Sequence, residues 1–148
     1  MKATMTPPET SRRAMKEVEQ YEREPPRKRV PKDVSRDGMG YDFESLDPKT
    51  AETITIEVKG CGSNEGIPNA NIRNFEGPPW KPPWKLIADF LYVVQFRGRE
   101  AVALRIIPRD EVNSYDHKER RSVAFACPLR TRVKHGDFDA PDFKGSKT

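Results

Sequence analysis

Thr53-Ile54-Thr55-Ile56-Glu57-Val58-Lys59 is the stretch whose reading decides the fold. Apolar and polar residues alternate strictly along it, the period of a strand with one buried face. Ile54, Ile56 and Val58 therefore point inward, and Thr53, Thr55, Glu57 and Lys59 point the other way. Upstream, Tyr41 to Leu46 carries a second strand pattern, and Asp47-Pro48-Lys49-Thr50 between the two is turn chemistry, so the pair reads as an antiparallel hairpin. With the turn centred between Lys49 and Thr50, paired residue numbers sum to 99. Asp42 then faces Glu57, with Cβ atoms about 5 Å apart and both side chains on one face.

Outward from this hairpin, Ser11 to Glu24 is built of helix formers, with Ser11 as N-cap, Met15, Val18 and either Tyr21 or Glu22 on one side, and Pro25-Pro26 as the stop. A short strand around Val30 to Val34 precedes the hairpin. Residues 61–88 hold Gly62, Gly66, Gly77 and five prolines, and read as a long loop. Phe90 to Phe96 and Glu100 to Ile107 flank Arg97-Gly98-Arg99 as a second hairpin, closed by Pro108. Arg121 to Cys127 adds a possible last strand. The expected class is α+β, a helix followed by a sheet of antiparallel hairpins. One domain over residues 10–128 is expected, with flexible tails at 1–9 and 129–148.

The 148 residues suffice for one domain, and 34% hydrophobic against 34% charged residues allow only a modest core. No apolar run exceeds five residues, so no membrane-spanning helix is written here, and an N-terminus without an apolar stretch points to an intracellular, cytoplasmic home. Cys61 and Cys127 stand apart from each other and from His117 and His135, which leaves neither a disulfide framework nor a Cys/His zinc site. Both histidines read as surface residues. The net charge of +4 divides into +4 over residues 1–36, −4 over 37–116 and +4 over 117–148. Basic ends, including Arg27-Lys28-Arg29, serve either as polyanion contacts or as solvated tails.

Two carboxylates facing each other suit a hard divalent ion such as Mg²⁺ or Mn²⁺, and a lysine one pleat away could hold or polarise an attacking water. The plainer reading makes Glu57 and Lys59 the solvent side of an amphipathic strand, with Asp42 a cross-strand partner of a nearby lysine. Cys61, just past Lys59, reads as a small packed side chain rather than a nucleophile.

Val18 to Glu22, Asp33-Val34-Ser35, Gly40-Tyr41-Asp42-Phe43-Glu44-Ser45 and Ile56-Glu57-Val58-Lys59-Gly60, in that order and spacing, resemble the domain at the C-terminus of the plant protein NO VEIN. That domain also occurs in bacterial and phage proteins, often beside helicase-like modules, and belongs to the PD-(D/E)XK nuclease superfamily. The resemblance covers residues 11–60 well and 86–108 loosely. It implies a restriction-endonuclease-like core of helix, three antiparallel strands, helix and strand, with a mixed sheet. It also implies a Mg²⁺- or Mn²⁺-dependent endonuclease acting on DNA, alone, as a homodimer, or in a larger defence or helicase-type complex. Carried over by position, Asp42 is the first metal ligand, Glu57 the second, the Val58 carbonyl a third and Lys59 the catalytic lysine, with Glu22 an accessory, water-mediated ligand. The second core helix has little room, since residues 61–88 leave space only for a short one such as Pro83 to Ala88. A module that keeps the fold only to bind nucleic acid or protein is the alternative.

The loop also repeats a motif, Pro78-Pro79-Trp80-Lys81 and Pro82-Pro83-Trp84-Lys85. Trp80 and Trp84 could stack on bases while Lys81 and Lys85 follow phosphates, or dock into a partner, or pin the loop to the core.

Overall fold

The computed structural model describes residues 5–62, 70–73, 86–114, 124–127, 140 and 142–145. The order of elements is α1 (Pro7–Arg23), β1 (Val30–Asp33), β2 (Phe43–Leu46), β3 (Thr53–Gly62), β4 (Ala70–Arg73), β5 (Phe90–Arg97), β6 (Glu100–Pro108), α2 (Arg109–Ser114) and β7 (Ala124–Cys127). Five strands form one mixed sheet in the order β1-β2-β3-β5-β6, and β4 and β7 form an antiparallel pair. β3 pairs antiparallel with β2 and parallel with β5, and β5 turns back onto β6. The α+β class is as expected from the sequence.

The hairpin register also holds. Phe43 pairs with Ile56, Glu44 with Thr55, Ser45 with Ile54 and Leu46 with Thr53, all on the expected sum. Alternation then sorts the sheet into two faces. Ile56, Val58, Tyr92, Val94, Phe96 and Leu104 gather with Ala14, Val18 and Tyr21 of α1 into one core. The opposite face carries Leu91, Val93 and Ile107, also buried.

Helix α1 starts earlier than Ser11. Thr6 is its N-cap, Pro7 follows, and Thr6 and Glu9 form a capping box in which the Thr6 hydroxyl accepts from the Glu9 N–H at 3.3 Å and Glu9 Oε1 accepts from the Thr6 N–H at 3.2 Å. Thr-x-x-Glu with proline at the first helical position is a strong start signal, and it moves the domain boundary into the stretch expected to be a tail. The tail at the other end also needs correction. Phe143 packs on the core and tilts against Tyr21, the Ala140 N–H donates to the Leu104 carbonyl at 3.0 Å, and Asp142 takes the Tyr21 hydroxyl at 3.3 Å and an ion pair from Arg27. Composition put these residues outside because single apolar groups among charges carry no periodicity.

Residues 70–73, expected to be loop, form β4, and α2 follows Pro108, where the sequence reading ended the hairpin without a helix. Leu86 to Ala88 is not helical. Trp80, Lys81, Trp84, Lys85, His117 and His135 lie outside the described residues.

α1 lies close against β3. A Cβ added at Gly60 would come within 2.8 Å of Thr10 Cγ2, 3.0 Å of the Thr10 carbonyl and 3.1 Å of Ala14 Cβ. Gly60→Ala should therefore push the helix off the sheet and destabilise the protein by about 1–3 kcal/mol. Urea unfolding should show the loss as a lower midpoint at unchanged slope.

Candidate functional site

Asp42 reaches its position through the β1–β2 connection. Asp33 Oδ1 accepts from the Ser35 N–H at 2.9 Å and the Ser35 hydroxyl at 2.6 Å, closing an Asx turn, while Val34 between them is buried. Gly40 then takes φ +89°, a left-handed conformation that suits glycine, and swings the chain into β2. The Asp42 N–H donates to the Ile56 carbonyl at 2.9 Å, the same residue that Phe43 pairs with. The ladder thus slips by one residue, and the direct Asp42–Glu57 pairing expected from the register does not form. Instead Asp42 Oδ2 turns back onto β3 and accepts the Val58 N–H at 2.8 Å.

Val58 sits one step past the paired part of β2. Its N–H faces Asp42, and the N–H and C=O of one strand residue point the same way, so the Val58 carbonyl opens on that same edge. Glu57 lies beside it with its side chain 12% exposed, and Lys59 Nζ is 3.4 Å from Glu57 Oε2. Burial, reinforced by the Asp42 carboxylate and opposed by Lys59, pushes the Glu57 carboxyl up to about 8. Asp42, Glu57, Val58 and Lys59 are therefore brought together, by a bulge-like slip rather than a regular cross-strand pair.

Other acids on this face are already engaged. Glu44 accepts the Tyr41 hydroxyl at 2.9 Å, and Asp89 Oδ2 accepts the Thr55 N–H at 2.9 Å while its other oxygen is 3.6 Å from Arg109. Among the described residues no group of three or more His, Cys, Asp or Glu side chains could hold a metal ion. The donors that fit a hard cation are the two carboxylates and the Val58 carbonyl, with water completing the shell. A carboxyl that burial and a like charge drive toward protonation is the kind of group a cation would relieve.

Glu22 does not join them. It lies on the α1 face of the sheet, fully buried, and accepts from Arg29 Nη1 at 2.8 and 3.0 Å, from the Ser45 hydroxyl at 2.9 Å and from the Tyr92 hydroxyl at 2.8 Å. Burial and the Glu22 carboxylate hold the Tyr92 phenol well above its ordinary range, so it remains a donor. The expected accessory ligand is a structural hub, because its oxygens are already taken on the wrong side of the sheet. Of the cations expected to meet nucleic acid, two in the Arg27-Lys28-Arg29 run are likewise committed. Arg29 serves Glu22, and Arg27 stacks 3.4 Å from the Tyr21 ring centre, donates to the Tyr21 carbonyl at 2.7 Å and pairs with Asp142. Lys28 alone of the three is exposed. Burial raises the Cys61 thiol to about 11, so it is not a thiolate near neutrality and makes no nucleophile.

The site is thus an acid pair, a strand-edge carbonyl and a lysine on a helix-backed mixed sheet. Residues 10–71, which contain all four, match the family described as Protein NO VEIN, C-terminal. No curated protein and no solved structure matches the chain. No helix among the described residues is long and apolar enough to cross a membrane.

The raised Glu57 carboxyl has a consequence for stability. Its folded value of about 8 lies above the ordinary 4.5, so between those values the folded state holds a proton that the unfolded state has lost. Stability contributed by this group is complete below about pH 4.5 and falls as pH rises toward 8. Glu57→Gln, a neutral isostere, should therefore stabilise the metal-free protein at pH 9 by more than about 1 kcal/mol, the scale of one pKa unit, and change it little at pH 4. Thermal melts of the two proteins across pH should converge at the acid end.

Proposed function

We propose that the protein is a metal-dependent nuclease that hydrolyses DNA phosphodiester bonds, with Asp42, Glu57, Val58 and Lys59 as its centre. The observation that carries this reading is the convergence of the buried Glu57 carboxyl, Asp42 and the Lys59 ammonium at the edge that β2 leaves open. The Asp42 and Glu57 carboxylates and the Val58 carbonyl would hold one Mg²⁺ or Mn²⁺. Such a cation would polarise a phosphoryl oxygen and lower the pKa of a water bound to it.

The chain's own groups do the rest. The Val58 N–H fixes one Asp42 oxygen at 2.8 Å, which holds that carboxylate on the β3 edge. Glu57 is held rigid by burial, so its oxygens keep their place without reorganising. Lys59, 29% exposed, has its head at the solvent side of Glu57, where it meets an incoming phosphate and offsets the charge that builds on the phosphorus oxygens in the transition state. A module that retains the fold and only binds is the second reading. It is favoured by the small number of metal-type side chains, two where three or more would make a firmer site.

Calorimetry with Mn²⁺ should find one site that Glu57→Gln abolishes; equal binding by the variant would remove the metal from the proposal. Lys59→Met should lower DNA cleavage by about a hundredfold or more, the scale of losing one preorganised charge-stabilising group, while leaving DNA affinity within about twofold. A folded, Mn²⁺-loaded parent that cleaves no duplex, branched or single-stranded DNA would leave the binding module.

A further inference from the structure

A groove of about 550 Å³ lies between α1 and the β1–β2 connection, lined by Arg12, Met15 and Lys16 from the helix and by Ser35, Arg36 and Asp42 from the connection. Its cations differ from those elsewhere on the helix. Arg13 donates to the Arg99 carbonyl at 2.8 Å and pairs with Glu17, Arg99 pairs with Glu9, and Arg23 pairs with Glu19. Arg12, Lys16 and Arg36 are exposed and form no hydrogen bond or ion pair with any described residue.

The acids that share the groove are already engaged. Glu19 is 3.4 Å from Arg23, Asp33 Oδ1 closes the turn to Ser35, and Asp42 Oδ2 holds the Val58 N–H. What the groove presents to a ligand is therefore three cations with no ion-pair partner among the described residues, against two carboxylates, Asp33 and Asp42, that neutral donors hold in place. Arg12 and Lys16 stand one helical turn apart on the same face of α1, about 6 Å between Cβ atoms, and Arg36 closes the opposite wall. An extended polyanion fits this arrangement, because successive charges along it meet successive cations while its chain is guided toward Asp42.

We propose that this groove is the track for one strand's phosphate backbone entering the Asp42–Glu57 site, with Arg12, Lys16 and Arg36 as its phosphate contacts. The claim rests on the nuclease reading for its direction, and it is separable from it by experiment. The contacts are to phosphates and carry no base recognition, so the groove positions a strand without choosing its sequence.

The test is binding of fluorescently labelled DNA, single-stranded and duplex, to the full chain in EDTA, followed by anisotropy from about 50 to 200 mM salt. Replacing all three groove cations, Arg12→Gln, Lys16→Gln and Arg36→Gln, should weaken binding at least tenfold at the low-salt end. It should also flatten the logarithmic salt slope by about two to three, the loss of three phosphate contacts. The charge-matched control Lys49→Gln, Arg97→Gln and Lys144→Gln changes cations outside the groove and should lose less than half as much. If the two triple variants match, or if the parent binds no DNA, the groove assignment is wrong. Should the triple variant melt below the parent, Arg36→Glu on the connection alone carries the test, with a loss of at least fivefold expected and none overturning the claim. A parent that binds through the groove but never cleaves upholds the track and sinks the nuclease. Cleavage that depends on Lys59, with a salt slope indifferent to the groove, does the reverse.

Discussion

Everything at the site follows from the way β3 is pinned under α1. Ile56 and Val58 must be buried beneath Ala14 and Val18, and Gly60 must stay bare for the helix to approach. A strand fixed on one face has no freedom on the other. Glu57, Lys59 and Cys61 are consequently held on the second face whatever that costs them. The cost to Glu57 is visible in its affinity for a proton, and the cost to Cys61 in a thiol that stays protonated. Slipping β3 by one residue would relieve both groups and expose Ile56 and Val58 instead, each worth about 1.5–3 kcal/mol of apolar burial. The core wins, and the buried acid is the consequence.

Two carboxylates in this one domain illustrate how the same side chain becomes scaffold or site. Glu22 and Glu57 are both largely withdrawn from water. Glu22 is met by a guanidinium and two hydroxyls, so its charge is matched and its oxygens are used up. Glu57 is met by a single ammonium at 3.4 Å and faces another carboxylate, so part of its demand is left for something outside the protein. Burial alone does not separate the two; the count of donors does.

Much of this could be read before any coordinates. Strict alternation from Thr53 to Lys59 gave the strand, its buried face and the register with Tyr41 to Leu46, because a half-buried strand leaves a period-two trace that needs no tertiary knowledge. What escaped was tertiary in origin. The slip at Asp42 depends on Gly40 and on the Asx turn at Asp33, neither of which shifts the hydrophobic pattern. The α1 start was legible in Thr6-Pro7-Pro8-Glu9 and was missed because Ser11 offered a competing cap. Glu22 looked like a ligand because sequence cannot say which side of a sheet a helix faces. The cations of Arg27 and Arg29 looked available because their partners, Asp142 and Glu22, are respectively 115 and 7 residues away.

The same bookkeeping of partners turns a diffuse basic charge into a direction. Net charge over residues 1–36 is +4, yet four of the six arginines there are paired, with Glu17, Glu19, Glu22 and Asp142. Such pairs cancel at long range and contribute little attraction to a polyanion. Arg12, Lys16 and Arg36 have no such partner among the described residues, and these three line one groove, between the helix that pins β3 and the connection that delivers Asp42. The helix that pins β3 and the connection that delivers Asp42 therefore both place cations in that groove. Cations set along an approach, rather than inside the site, attract phosphate without pairing with the carboxylates that a metal ion would need.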